Sequence, residues 1–181
     1  AYAQRDINNF GKTEIIRPGK PCRTSLSLTT KYGLGEFPFH TDVAYWTTPA
    51  KYLALYCIDP GKGKRKTRII NLDQKIDELS NEIGLDSDLF IIKYRIKPFY
   101  TKIINGSIDD RWIRWDQEIM TPVIDPKIVN RVKEFLLGQD IFEIEWEPKM
   151  LVVIDNRHSL HARGDSAVDD LDRTLRRILI R

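Results

Sequence analysis

Short apolar segments rich in β-branched and aromatic residues dominate the chain and limit what it can fold into. The clearest is residues 52–58, Tyr-Leu-Ala-Leu-Tyr-Cys-Ile, in which no side chain carries a charge. Runs of this length and composition are typical of buried strands. The predicted strands are 52–58, 68–72, 90–96, 141–146, 150–154 and 174–180.

Helical patterns are few. Residues 73–79 follow a predicted strand, with Asp73 as the expected N-cap. Residues 126–137 have helical spacing, with Asp125 placed to cap the start and Gly138 to end the helix. Many short strands with few helices predict a mainly β fold with flanking helices, a sandwich or barrel such as a double-sheet jelly roll.

Length and composition predict one soluble domain over residues 1–181, because 41% of the residues are hydrophobic and 30% are charged. The net charge of +3 is too small to predict a nucleic-acid partner. No apolar stretch approaches the roughly 20 residues of a membrane helix, and no signal sequence is visible. Cys22 and Cys57 are expected to be reduced thiols in a cytoplasmic protein. The sequence leaves the oligomeric state open.

Two of the three histidines lie in settings that favour metal binding. His40 and Asp42 are two residues apart, so on an extended segment both side chains point to the same side. His161 follows the apolar segment 150–154 and could supply a third ligand across a barrel. Two imidazoles and one carboxylate bind non-heme iron(II) in oxygenases, and zinc can also use this set. A His-x-Asp pair alone is more often a surface hydrogen-bonded pair.

Three motifs resemble those of the iron(II)/2-oxoglutarate-dependent dioxygenases, specifically the taurine dioxygenase-like group that includes clavaminate synthase-like enzymes. The first is residues 35–46, with His-Thr-Asp at 40–42. The second is residues 154–163, which carry Asp-Asn-Arg followed by His-Ala-Arg, and the third is residues 172–178 with two arginines four residues apart. The likeness spans about residues 26 to 181 and includes Arg-Trp-Asp at 114–116. It implies a cupin-like double-stranded β-helix.

The resemblance assigns roles to individual side chains. The implied catalytic ligands of Fe(II) are His40, Asp42 and His161. The implied 2-oxoglutarate-binding residues are Arg173, which holds the distal carboxylate, Thr67, which assists it, and Arg177, a second arginine near co-substrate or substrate anions. The resemblance further implies that O₂ and 2-oxoglutarate are consumed and that succinate and CO₂ are formed.

The expected reaction is hydroxylation of an unactivated C–H bond in a small polar or anionic, amino-acid-like substrate. The acidic residue at position 42 favours hydroxylation or a related oxidation over halogenation. Desaturation or epoxidation by the same centre remains an alternative, as does a non-catalytic cupin-like binding protein. The candidate substrate contacts are Tyr45, Trp46, Arg163 and Trp115. Asn156 is expected to orient the loop that carries His161.

Overall fold

The fold is mainly β with few helices, as a computed structural model shows for residues 10–19, 28–84, 88–93, 97–166 and 171–181. The strands in these ranges are β1 (Thr13–Ile16), β2 (Tyr52–Asp59), β3 (Thr67–Asn71), β4 (Phe90–Ile92), β5 (Phe99–Thr101), β6 (Ile104–Asn105), β7 (Trp112–Ile113), β8 (Met120–Pro122), β9 (Phe142–Ile144), β10 (Leu151–Asp155), β11 (Ser159–Arg163) and β12 (Thr174–Ile180). The helices are α1 (Leu28–Tyr32), α2 (Ile76–Ile83) and α3 (Ile128–Leu137).

Two antiparallel sheets pack against each other and form the framework. The larger has the strand order β1-β12-β2-β10, and the smaller has the order β11-β3-β9. The apolar cluster between them contains Leu53 and Leu55 from β2, Leu175 from β12 and Ile144 from β9. Because one cluster draws on both sheets, the sheets face each other across it.

Strand β3 separates this first cluster from a second one. Ile69 packs against the first cluster, whereas Ile70 lies in the second, with Leu79 of α2 and Val132 of α3. Neighbouring residues on a strand point to opposite faces. Thr67 therefore lies on the same face as Ile69, toward the space between the two sheets.

The same alternation in β11 decides where His161 points. Leu160 belongs to the second cluster, beneath the helices. His161 and Arg163 consequently point away from the helices, toward the inner face of the smaller sheet. The sequence does not predict β11, because three of its five residues are polar.

The predicted strands agree with the structure at their centres. Residues 174–180 match β12 at both ends, and the predictions for β2, β3, β9 and β10 differ by one or two residues at an end. The predicted strand 90–96 is too long, because β4 ends at Ile92 and Lys93 lies outside any strand, whereas residues 94–96 lie outside the described residues.

Both predicted helices exist, but their N-caps were predicted wrongly. A 3-10 turn occupies the start of the first, and Asp73 caps neither it nor α2; its own N–H instead donates to Asn71 Oδ1 at 3.0 Å. Asp125 Oδ1 accepts the N–H of Lys127 at 2.9 Å, which forms a turn before α3 rather than a cap. Gly138 is the C-cap of α3, as predicted.

Two sequence expectations can be compared directly with the structure. Cys57 is a buried free thiol in β2, whereas Cys22 lies outside the described residues. In the part of the chain that the structure describes, no helix is long and apolar enough to cross a membrane.

The turn between β10 and β11 is held by His158. Its Nδ1 lies 2.9 Å from Asp155 Oδ2, and its Nε2 lies 2.9 Å from the carbonyl oxygen of Arg111. Both partners are acceptors, so the ring satisfies both only when both nitrogens are protonated. Burial alone would lower the pKa of His158, but the hydrogen bond and charge of Asp155 outweigh it and raise the pKa.

We expect this turn to weaken as the pH rises. The pairing stabilises the fold fully below the unfolded pKa of about 6.5, and its contribution is lost as the pH rises through the higher folded pKa. From about pH 6 to about pH 9, the wild type should lose on the order of 1 kcal/mol of unfolding free energy relative to His158→Gln, allowing for solvent screening. Urea denaturation of both proteins measures the difference, and a difference that does not change with pH would contradict the prediction.

Candidate active site

His40 and His161 lie next to each other although they are far apart in sequence. Each backbone N–H donates to the other residue's carbonyl, at 3.0 Å from His40 and 3.1 Å from His161. Their ring centroids are 4.4 Å apart at an interplanar angle of 48°, and both side chains are buried. The pairing is an isolated antiparallel bridge between His40 and β11, and it fixes the separation of the two imidazoles.

Both rings offer a nitrogen suited to a metal ion. His40 Nδ1 lies 3.0 Å from the carbonyl oxygen of Pro38, which can only accept, so the tautomer that this contact favours donates from Nδ1 and keeps its lone pair on Nε2. Metal-binding histidines commonly donate their second N–H in this way. His161 Nδ1 is buried and has no hydrogen-bond partner among the residues that the structure describes. Burial, and then His40, lower the pKa of His161 to about 3, so its imidazole is neutral, the form that binds metals.

The Asp42 carboxylate is held by Arg177. Both carboxylate oxygens accept from Arg177 Nη1 at 2.8 Å, and Oδ1 also accepts the N–H of Val43 at 2.9 Å. Burial alone would raise the pKa of Asp42, but Arg177 and then the two histidines hold it below its usual value. A carboxylate oxygen has two lone pairs, so Oδ1 is fully used, whereas Oδ2 keeps one.

The three predicted ligands therefore lie together, but they do not form a complete metal site as placed. Across the described ranges, no group of three or more His, Cys, Asp or Glu side chains is arranged to hold a metal ion. The two imidazoles fit such an ion through the free Nε2 of His40 and the partnerless buried nitrogen of His161. Asp42 fits as a third ligand only through Oδ2, because its oxygens are directed to Arg177.

Asn156 orients the Asp42 segment rather than the loop that carries His161. Its Oδ1 accepts the N–H of Asp42 at 2.7 Å, and its Nδ2 donates to the carbonyl oxygens of Asp42 and Ala50 at 3.2 and 2.8 Å. Its side chain is fully buried. The expectation that it orients the His161 loop is therefore corrected, since all three contacts cross to residues 42–50.

Arg173 and Thr67, the two predicted anchors of 2-oxoglutarate, are in contact. Arg173 Nη2 donates to Thr67 Oγ1 at 3.4 Å, and Trp146 Nε1 donates to the same oxygen at 3.0 Å. The Arg173 guanidinium also lies over the Trp146 ring, 6.0 Å from its centroid. With both lone pairs used, the Thr67 hydroxyl can only donate, and it has no acceptor among the described residues. A buried guanidinium beside a hydroxyl donor is suited to binding a carboxylate.

A cavity of about 350 Å³ lies beside the Asp42–Arg177 pair. It is lined by Lys12, Thr13, Glu14, Val43, Tyr45, Trp46, Arg177 and Leu179. Arg177 Nη2 also donates to Glu14, so this arginine joins Asp42 to the cavity wall. Tyr45 and Trp46, two of the predicted substrate contacts, line this cavity, and their contact with a substrate stays a prediction.

The other two predicted substrate contacts lie elsewhere. Trp115 is almost completely buried in the core, edge-on to Phe90 with ring centroids 6.3 Å apart. Arg163 donates to the backbone carbonyl oxygens of Gly33 and Gly35. Neither residue is among those that line the cavity.

Arg114 and Asp116, the first and last residues of the Arg-Trp-Asp motif, are site residues to which the sequence analysis assigned no role. Arg114 donates to the carbonyl oxygens of Ala44, Trp46 and Thr47 at 3.1, 2.9 and 2.8 Å, so it holds the backbone that carries the cavity aromatics. Asp116 is buried near His40, and burial raises its pKa. The resemblance of this motif was the only signal for either residue.

Comparisons with known proteins find the same fold in solved oxygenase structures, although no family profile and no curated protein matches the chain. Asparagine oxygenase in complex with Fe(II), 2S,3S-3-hydroxyasparagine and succinate matches with 17% identity and a TM-score of 0.72, over 93% of this chain and 56% of that one. The non-heme iron oxygenase OrfP with Fe and alpha-ketoglutaric acid matches with 19% identity and a TM-score of 0.65, over 93% and 56%. OrfP with Fe, succinate and (3R,4R)-dihydroxy-L-Arg gives 18% and 0.65, over 93% and 58%.

These matches show that the chain has the fold of the solved asparagine oxygenase and OrfP structures, consistent with the predicted mainly β architecture. The chain spans somewhat more than half the length of these solved structures.

We expect Asn156→Ala to destabilise the protein by about 3 kcal/mol, because it leaves the N–H of Asp42 and the carbonyl oxygen of Ala50 buried without partners. Asn130→Ala, at an exposed position on α3, is the control and should change stability by less than about 0.5 kcal/mol. Guanidinium denaturation measures both. Equal stabilities of the two variants would show that the Asn156 contacts do not hold the segment.

Proposed function

We propose that this chain forms a single Fe(II)/2-oxoglutarate-dependent oxygenase domain that hydroxylates an unactivated C–H bond of a small, amino-acid-like molecule. The observation that carries the proposal is the juxtaposition of His40 and His161, beside Asp42, on the fold of such oxygenases. Two facing antiparallel sheets with a shared apolar interior also support the finer assignment of a double-stranded β-helix, or jelly roll.

His40, His161 and Asp42 Oδ2 are the groups that would hold the iron. Iron and 2-oxoglutarate, when bound, would supply an oxidant for the C–H bond, so that the substrate, O₂ and 2-oxoglutarate are converted to the hydroxylated substrate, succinate and CO₂. The chain keeps the His161 imidazole neutral by burial and keeps Asp42 ionised through Arg177. Neutral imidazoles with one carboxylate leave a ferrous ion with a net positive charge, which favours an anionic co-substrate.

Arg173 and Thr67 are the proposed anchor of the distal carboxylate of 2-oxoglutarate. A buried guanidinium binds a carboxylate through two parallel hydrogen bonds and remains charged. The Thr67 hydroxyl adds a donor because its lone pairs are already occupied by Arg173 and Trp146.

The charges around the cavity favour an amino-acid-like substrate. Arg177 and Lys12 offer positive charge to a substrate carboxylate, and Glu14 offers negative charge to an amine. Asp116 adds a buried carboxylate on the His40 side of the site. The solved asparagine oxygenase and OrfP structures contain hydroxylated amino acids, which is consistent with this substrate class.

A non-catalytic binding protein is the second candidate, and the orientation of Asp42 favours it. Both carboxylate oxygens are directed to Arg177, and the described residues contain no complete metal-ligand group. Desaturation or epoxidation is a variant of the first proposal, and product mass distinguishes it, because hydroxylation adds one oxygen whereas desaturation removes two hydrogens.

We expect the wild type to release succinate in a substrate-dependent manner from a library of amino acids with Fe(II), ascorbate and 2-oxoglutarate, and His161→Ala to lose this activity by at least about 100-fold. His158→Gln is the matched control, since His158 binds Asp155 and not the proposed site. Titration with Co(II) should likewise show binding to the wild type and His158→Gln but not to His161→Ala. A wild type that binds no Co(II) and releases no succinate would contradict the proposed function.

Arg173→Gln is expected to raise the KM for 2-oxoglutarate by about 100-fold or more, because a charged, two-donor contact to a carboxylate is lost. Arg176→Gln is the control, since Arg176 is exposed on β12, three residues after Arg173. Initial rates of succinate formation at varied 2-oxoglutarate give both values, and Co(II) affinity should stay unchanged in both variants. An unchanged KM in Arg173→Gln would remove Arg173 from the co-substrate site.

A further inference from the structure

Arg163 is a buried arginine that the reaction itself does not use. It lies two residues after His161 on β11, and its guanidinium donates from Nε to Gly35 O at 3.0 Å and from Nη2 to Gly33 O and Gly35 O at 2.5 Å. The guanidinium carbon is 3.5 Å from the centroid of the Phe37 ring. The buried cation thus contacts three residues of the segment that leads to His40.

This segment carries the group that sets the tautomer of His40. The N–H of Phe37 donates to the carbonyl oxygen of Arg163 at 2.9 Å, and the Phe37 ring lies edge-on to His40 with centroids 6.5 Å apart. Pro38, the next residue, supplies the carbonyl oxygen that faces His40 Nδ1. The Arg163 contacts end one residue before this carbonyl, and the His40–His161 bridge begins two residues after it.

Glycine at position 35 allows this close approach. A Cβ built on Gly35 would lie 3.2 Å from the carbonyl oxygen of Tyr32, tighter than most real contacts. The compact backbone brings the carbonyl oxygens of residues 33 and 35 to one guanidinium. A lysine has a single ammonium group and cannot reproduce both the fork of donors and the stacking on Phe37.

We propose that Arg163 is a positioning residue for metal binding at His40, an inference that rests on the proposed function. Arg163 holds residues 33–37 against β11, and this keeps the Pro38 carbonyl at His40 Nδ1. The neutral ring then carries its proton on Nδ1 and its lone pair on Nε2. Loss of the Arg163 contacts releases the Pro38 carbonyl, and both tautomers of His40 become populated.

The test compares Arg163→Lys with the wild type in the metal-free protein and in a Co(II) titration. Imidazole nitrogen NMR shifts should show the Nδ1-protonated tautomer of His40 in the wild type and a mixture in R163K. Co(II) affinity should fall by about 10-fold or more, the usual effect of losing a group that orients a metal ligand. Arg131→Lys is the control, because Arg131 also donates to a backbone carbonyl, that of Ile83, between α2 and α3. It should keep the wild-type tautomer and affinity.

If Arg163→Lys does not fold, a second variant tests the proposed role of Arg163. Phe37→Leu removes the stacked ring but keeps the Arg163 hydrogen bonds to Gly33 and Gly35, so it should give a smaller shift of the same kind in tautomer and Co(II) affinity. Wild-type tautomer and affinity in the folded variants would overturn the proposal for Arg163. A wild type that fails to bind Co(II) would instead overturn the proposed function.

Discussion

The candidate site depends on buried side chains that hydrogen-bond the backbone of an irregular segment. Residues 33–50 carry His40 and Asp42 but form no strand of either main sheet. Arg163 holds the carbonyl oxygens before His40, Asn156 holds Asp42 itself, and Arg114 holds the carbonyl oxygens that follow. Asn156 and Arg114 satisfy backbone groups of Asp42, Ala44, Trp46 and Ala50 that would otherwise be buried without partners, and Arg163 ties the more exposed residues 33 and 35 to β11. The segment consequently keeps a defined shape without a strand ladder.

Charge balance around Asp42 follows from the same burial. A carboxylate removed from water takes up a proton unless a cation compensates, and Arg177 is that cation. Arg177 therefore keeps Asp42 ionised, but its guanidinium also occupies oxygen lone pairs that a metal ion would use. Burial has the opposite effect on His161, because it lowers the pKa of the imidazole and leaves a neutral ring. Ionised Asp42 beside neutral imidazoles is the state that a ferrous site requires.

Local sequence patterns predicted much of the framework and the site. Apolar runs gave β2, β10 and β12, and the motifs gave His40, Asp42, His161, Arg173 and Thr67, which the structure brings together in the two places described. The sequence patterns did not predict hydrogen bonds between a side chain and backbone groups that are distant in sequence. Asn156 and Arg114 donate to carbonyl oxygens that any residue type would present, so no pattern marks their partners. Trp115 looked like a pocket aromatic, and only its packing on Phe90 shows it to be core.

A hydrogen bond to a backbone carbonyl oxygen does not depend on the side chain of the residue that accepts it. Arg114 binds the carbonyl oxygens at positions 44, 46 and 47, so replacing Tyr45 or Trp46 alters the cavity wall without removing a bond of the frame. Tyr45 is only half-buried, so a substitution there can reshape the cavity wall, whereas Trp46 also belongs to the apolar cluster between the sheets and its loss would cost packing. In evolutionary terms, a fold arranged this way lets part of the cavity lining diverge while the segment that carries His40 and Asp42 keeps its shape.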